Sequence, residues 1–295
     1  MKKSIVRCLI GVAALALATT ANAREVDESI DAAADGHVEI INISGSVEVY
    51  GWSKNSVEVT GELGDRVEEL ILERNGDKVL VKVKVPRNNS NNISSDLEIR
   101  VPAGSAIDVS TVSADITSED VEGEQTLHTV SGDVITQAAD GDISAHSVSG
   151  DVDVTGDGSD IETEANTVSG DVTVIGVSGA VTAEAVSGDI DVRDGSFDRA
   201  TLNSVNGEIG FQAGLANGGK LTIETVNGEV DVQFDGDVSA KFDIETFNGD
   251  INNCFGPKAE RTSKYAPGWE LSFTEGDGDS RVTITTLNGD VDICN

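Results

Sequence analysis

The strongest constraint on this chain is that it repeats itself. A five-residue motif, apolar–Ser/Asn–Gly–Asp/Glu–Val/Ile, runs as Val130-Ser131-Gly132-Asp133-Val134 and returns from Val148, Val168, Val186, Val205, Val226, Phe247 and Leu287. A variant with Ala114 in place of the glycine starts at Val112. Counted from the apolar residue, successive copies lie 18, 18, 20, 18, 19, 21, 21 and 40 residues apart. A period of this length suits one coil of a stacked β-architecture; the leucine and Asn/Cys pattern of leucine-rich repeats is absent, and helical repeats are longer. Between motifs the apolar residues alternate, as in Val152/Val154, Val172/Val174, Ile190/Val192 and Val230/Val232. That two-residue period belongs to strands, and β-branched residues favour them. The expected fold is therefore all-β, a single-stranded β-solenoid (β-helix) with 18–21-residue coils, whose handedness the letters do not set. Two half-coils of nine residues, 169–177 and 178–186, suggest a flattened coil with two main faces; a three-sided coil also fits.

Each motif position then acquires a physical task. Glycine is expected to supply the positive φ of a tight turn. Stacking aligns Ser131, Ser149, Ser169 and Ser187, then Asn206, Asn227, Asn248 and Asn288, in columns able to hydrogen-bond from coil to coil. Valine and isoleucine fill a narrow interior, and the low aromatic content, 4%, suits a core with no room for large rings.

The two ends are less regular. Lys2, Lys3 and Arg7, an apolar run from Leu9 to Ala18, and Ala21-Asn22-Ala23 have the layout of a cleaved secretory signal over 1–23. Cys8 precedes the apolar run, which argues against lipidation, and no later stretch approaches the ~20 apolar residues of a membrane-spanning helix. Residues 24–104 read as irregular β coils that cap one end, with Ile43-Ser44-Gly45-Ser46-Val47 imitating the motif without its acid. Residues 105–295 read as the regular solenoid, broken by an inserted loop at 255–278. Cys254 follows Phe247 by seven residues and Cys294 follows Leu287 by seven. Equivalent positions on adjacent coils lie ~4.8 Å apart, so an exported protein is expected to join Cys254 to Cys294 and pin the last coil.

The repeats Thr-Val-Ser-Gly-Asp-Val and Thr-Val-Asn-Gly-Glu-Val resemble the bacterial putative-adhesin proteins, a domain family of unknown function. Ser46 to Trp52 (Ser-Val-Glu-Val-Tyr-Gly-Trp) and Glu260 to Gly268 (Glu-Arg-Thr-Ser-Lys-Tyr-Ala-Pro-Gly) agree with it, so the likeness runs from about His37 to Asn295. The resemblance implies an exported β-solenoid of the cell envelope. It carries over no catalytic residue.

The most distinctive chemistry follows the turn glycine: Asp115, Asp133, Asp151, Asp171, Asp189, Glu208, Glu229, Asp250 and Asp290 are acidic in all nine copies. Carboxylates stacked ~4.8 Å apart repel by ~1 kcal/mol even in bulk water, so turn amides, counterions or a basic ligand must offset them. Weak divalent-cation binding fits this column; a tight calcium cage, which needs six to eight oxygens, does not. His128 and His146, eighteen residues apart, should stack, but the next equivalent residue is Asn166, too few ligands for zinc. The loop gathers Lys258, Arg261, Lys264, Tyr265 and Trp269 in an acidic chain of net charge −33; these residues either anchor a partner or cover the end of the core. The charge speaks against nucleic acid. Because every coil repeats one acid and none gathers an acid, a base and sugar-stacking aromatics, the expectation is no catalysis, no cofactor and no metal centre. The function expected is adhesion or scaffolding at the periplasm or cell surface, with a protein or glycan partner; the alternative is an envelope-stress accessory that holds cationic peptides or divalent cations along the acids.

Overall fold

The computed structural model describes residues 24–87, 92–263 and 267–295; the leader expected at 1–23 lies outside them. Among the described residues all regular structure is β, and no helix is long and apolar enough to cross a membrane. The alternation read from the sequence is the burial pattern itself. Val134 and Thr136 point inward while Ile135 and Gln137 point out, and Val152 and Val154 repeat this one coil on. Stacking is parallel and in register: Val134 faces Val152, which faces Val172, then Ile190, Ile209 and Val230. A second parallel ladder, from Ala106–Ser110 through Gln125–His128 and Ile143–Ser149, precedes each motif. The motif is the turn between the two ladders, and the core of Val, Ile, Leu and Ala lies between them.

Chain order and stacking order part company at both ends. Val230 faces Val291, and Val291 also faces Ile251. The C-terminal coil, Ser280–Asn288 with Val291–Cys294, is thus slotted between the coils of Asn227 and Asn248. The expectation that the disulfide pins the last coil needs correction: the last coil in sequence is the second to last in space. Cys254 and Cys294 are bonded, with Cα atoms 4.9 Å apart, and the bond fastens an interior strand to the outer one. The same device operates at the other end. Ser44–Trp52 lies between Ser95–Pro102 and Ser113–Glu119, placing Gly45 beside Ala114 and Ser46 beside Asp115. The acid-free imitation of the motif is therefore a true rung.

Antiparallel strands close both ends. Ser56–Leu63 pairs with Ser95–Pro102, and Arg24–Asp31 pairs outside it. At the far end Trp269–Glu275 runs antiparallel to Ala240–Asn248. This covers edges that would otherwise template another chain.

Two further expectations are corrected. The interior does take large rings: Phe197, Phe211, Phe234 and Phe242 line up at about 6 Å between centroids, and Phe255 and Phe273 complete the column over the C-terminal end. Secondly, the motif glycines are not there for positive φ. Of the eight, only Gly170 has one, and at 157° it is close to extended. What they share is crowding: a Cβ on Gly150, Gly188, Gly207 or Gly289 would fall inside 3.0 Å of the carbonyl of the glycine one rung away. Glycine is needed because backbone stacks on backbone.

This steric account predicts that Gly188→Ala costs about 1–3 kcal/mol, the range of overpacking, in urea unfolding. Gly210→Ala, whose Cβ would meet nothing nearer than 3.6 Å, should be neutral or mildly stabilising; equal costs at both would sink the explanation. Replacing Cys254 and Cys294 by serine releases a 40-residue closure and is expected to lose about 2–4 kcal/mol.

Candidate functional site

Around each motif turn, four columns run the length of the stack. The innermost was not anticipated. The residue before the apolar position is a buried Thr or Ser in nearly every coil. In several of them its hydroxyl donates to the turn carbonyl that the missing Cβ leaves open, whereas the Thr225 and Thr286 hydroxyls are buried without a partner among the described residues. Thr129 reaches Ala114 O at 3.1 Å, Ser147 Gly132 O at 3.0 Å, Thr167 Gly150 O at 2.9 Å, and Thr246 Gly289 O at 3.0 Å. A buried hydroxyl left without a partner would cost free energy, so this pairing fixes the turn. The Ser/Asn column bonds as expected where it is asparagine: Asn227 Nδ2 donates to Asn206 Oδ1, Asn288 to Asn227 and Asn248 to Asn288, at 2.8–2.9 Å. The serines meet through main chain instead, as in Ser149 N to Val130 O at 2.9 Å.

The acidic column carries its own solution to repulsion. Asp115 Oδ1 accepts the backbone N–H of Asp133 at 3.0 Å, and the pattern climbs through Asp151, Asp171, Asp189 and Glu208 at 2.7–3.0 Å. It recurs where Asp290 accepts the N–H of Asp250 at 2.8 Å. Every aspartate with a rung beyond it makes this bond, whereas among the described residues none is seen onto Glu208 or Glu229. A glutamate is one methylene too long to turn back onto the next amide. All nine acids remain exposed, so the row is charged on its outer side and amide-capped along its length.

The fourth column is the one that parity could have found. With Ile143, Ala145 and Ser147 inward, Val148 must point out. Val112, Val130, Val148, Val168, Val186, Val205, Val226, Leu287 and Phe247, in spatial order, are all exposed, at 39–47%. The sequence reading assigned valine wholly to the core and missed this. Neighbouring rungs flank a groove of about 470 Å³ lined by Val148, Val168, Val186 and Val205, with His146, Asn166 and Glu184 along its other wall.

His128 and His146 do stack, with ring centroids 4.8 Å apart. Asn166 Nδ2 donates to His146 Nδ1 at 3.2 Å, and Ser144 Oγ lies 2.8 Å from Nε2. Partial burial, then the charge of His128, lowers the pKa of His146 below the ordinary imidazole value. No cluster of three metal-ligating side chains is present among the described residues. In the loop, Arg261 lies over the Trp269 ring at 4.1 Å, and Lys258 and Trp269 face Asp250 and Asn252 across a cleft of about 450 Å³. Lys264 and Tyr265 fall outside the described residues. The end of the core is covered by Phe255, Leu271 and Phe273; Trp269, proposed from the sequence for that task, is only half-buried.

Comparison with known proteins adds three findings. The family model described as Toastrack DUF4097 matches residues 177–294. No curated protein is significantly similar in sequence. Solved structures that align with the chain include a putative adhesin from Bacteroides fragilis (10% identity, 92% of this chain and 98% of that one, TM-score 0.42). A putative lipid binding protein from Parabacteroides distasonis aligns at 12% identity over 92% and 98%, with a TM-score of 0.36. A putative cell adhesion protein from Clostridium sporogenes aligns at 11% over 92% and 99%, with a TM-score of 0.22.

Two outcomes test this geometry. Asp151→Asn keeps an acceptor for the Asp171 amide and relieves repulsion, so its stability should match or exceed the parent; Asp151→Ala should lose about 0.5–1.5 kcal/mol. For His146, a folded pKa below the unfolded one means that the unfolded chain binds more protons between the two values, so stability falls as pH drops through that window. His128→Asn should raise the His146 pKa, read by NMR titration, and flatten the loss of stability towards pH 5.

Proposed function

We propose that this chain, whose residues 177–294 match the family model described as Toastrack DUF4097, is a non-catalytic interaction protein of the bacterial envelope or surface, working through the long apolar column beside its turns. The observation that carries this reading is the row of nine exposed apolar side chains. At a strand spacing of ~4.8 Å the row is ~38 Å long. Solvent-facing valines scattered singly need no explanation, but a continuous row marks a surface that meets something. Repetition supports a binding rather than a catalytic use: each rung offers the same side chains, so nothing singles out one place for bond-breaking. Export follows from the leader reading of 1–23, and the Cys254–Cys294 bond suits an oxidising compartment. The partner in this reading is a protein or glycan of the envelope.

A second reading, weak loading of divalent cations or cationic peptides on the carboxylates, is favoured by the exposure of all nine acids.

Labelled mature protein should bind whole cells of its host, and Val168→Ser with Val186→Ser should abolish most of that binding while leaving the melting temperature within a few degrees. Undiminished binding would refute the apolar column as the working surface. Cleavage of envelope polysaccharide by the purified chain would overturn the non-catalytic reading.

A further inference from the structure

The apolar column does not stand alone, and its neighbours specify what can lie on it. Three residues beyond each exposed apolar side chain, across the turn, stands an exposed acid: Asp133 after Val130, Asp151 after Val148, Asp171 after Val168, Asp189 after Val186, Glu208 after Val205 and Glu229 after Val226. On the other flank, two residues before the apolar one, Glu184, Glu224 and Glu245 also face outward. We infer that this composite strip is a docking track for a cationic amphipathic helix, which lays its apolar stripe on the valines and its basic residues over the carboxylates. The inference rests on the proposed apolar working surface and names the chemistry of its occupant.

Charge complementarity selects this occupant over the other candidates. A second copy laid face to face would bring two rows of carboxylates together on chains of net charge −33, which repels. An anionic lipid surface is disfavoured for the same reason. Geometry selects a helix: it advances 5.4 Å per turn, close to the ~4.8 Å between rungs, so one apolar residue per turn meets roughly one rung. The groove along Val148, Val168, Val186 and Val205 gives that stripe a seat four rungs long in the middle of the track. The amide-capped aspartates hold their carboxylates at fixed height along it, so a docking helix orders its own side chains but not those of the track, which limits the entropic cost.

The test uses the mature chain and a fluorescent 18-residue Leu/Lys helix, followed by anisotropy at 150 mM salt. Binding is expected, and each of two double variants, Val168→Ser/Val186→Ser and Asp151→Asn/Asp171→Asn, should weaken it roughly tenfold or more. Asparagine preserves the acceptor for the rung amide and the valines are on the surface, so circular dichroism should show both variants folded. A Lys/Ser peptide of equal charge should bind at least tenfold more weakly; equal binding would mean counterion attraction alone and would overturn the proposal. So would helix binding that survives the valine changes, or sedimentation showing that those changes dissolve a dimer while the peptide is ignored. Binding to vesicles of anionic lipid that the valine changes abolish would assign the track to a membrane instead. If cell binding depends on the valines but the helix does not bind, the interaction surface stands and only this partner chemistry fails.

Discussion

Nothing in this protein stands without its neighbour one rung away. In a parallel ladder each strand's N–H and C=O groups are satisfied only by the strands on either side, and here the turns follow the same rule. The turn glycine lies against the glycine carbonyl of the adjacent coil, a threonine or serine hydroxyl finishes that carbonyl, and an aspartate caps the next amide. Side-chain choice at four motif positions therefore answers one requirement: backbone must approach backbone at a corner, and the backbone groups caught there need partners. Nearest-neighbour stacking of this kind makes stability accumulate along the axis and leaves the ends as the weak points.

The ends explain the departures from chain order. Placing Ser280–Asn288 between the coils of Asn227 and Asn248 pairs that strand on both sides and leaves the antiparallel Trp269–Glu275 to face the open end. The opposite end has the mirror logic, with Ser44–Trp52 inside and Ser95–Pro102 outside. The cost is kinetic. Asn227 meets Asn288 across 61 residues, and such distant pairings form slowly. Cys254–Cys294 then ties the inserted strand to its outer neighbour.

How much of this could be read from the letters follows from what they encode. Period two between motifs and period 18–21 along the chain are properties of single strands and single coils, so the all-β stacked architecture was legible, as was the register that sets Cys254 beside Cys294. The order of the outer coils was not legible. Asn227, Asn248 and Asn288 sit in near-identical motifs, and Val226, Phe247 and Leu287 are interchangeable as rungs, so the sequence fits either stacking and only the long connection through 255–278 decides. The phenylalanines misled for another reason. Scarcity suggests exclusion, whereas they are gathered into one column running from Phe197 to Phe242 and Phe273. The exposed valines were legible by parity: from Ala145 through Ser147, the next inward position is never Val148. Hydrophobicity outweighed parity in that reading, and parity was right.

That exposed row must also be reconciled with solubility. A strip of apolar residues ~38 Å long is the kind of surface that pairs with its copies and precipitates. Here each apolar rung has an acid three residues on, so two such strips cannot close on each other without burying like charges, and a buried unpaired charge costs far more than the valines gain. The aspartates thereby combine two effects: one oxygen holds the next rung's amide, and the charge opposes closure of one strip on another. Specificity by exclusion needs no recognition pocket, which is why the motif can stay identical from coil to coil. It also explains why the amide bond falls away above Glu208 and Glu229 without losing the pattern. There the hydrogen bond is given up, the negative charge is kept, and the constraint that survives along the whole row is the electrostatic one.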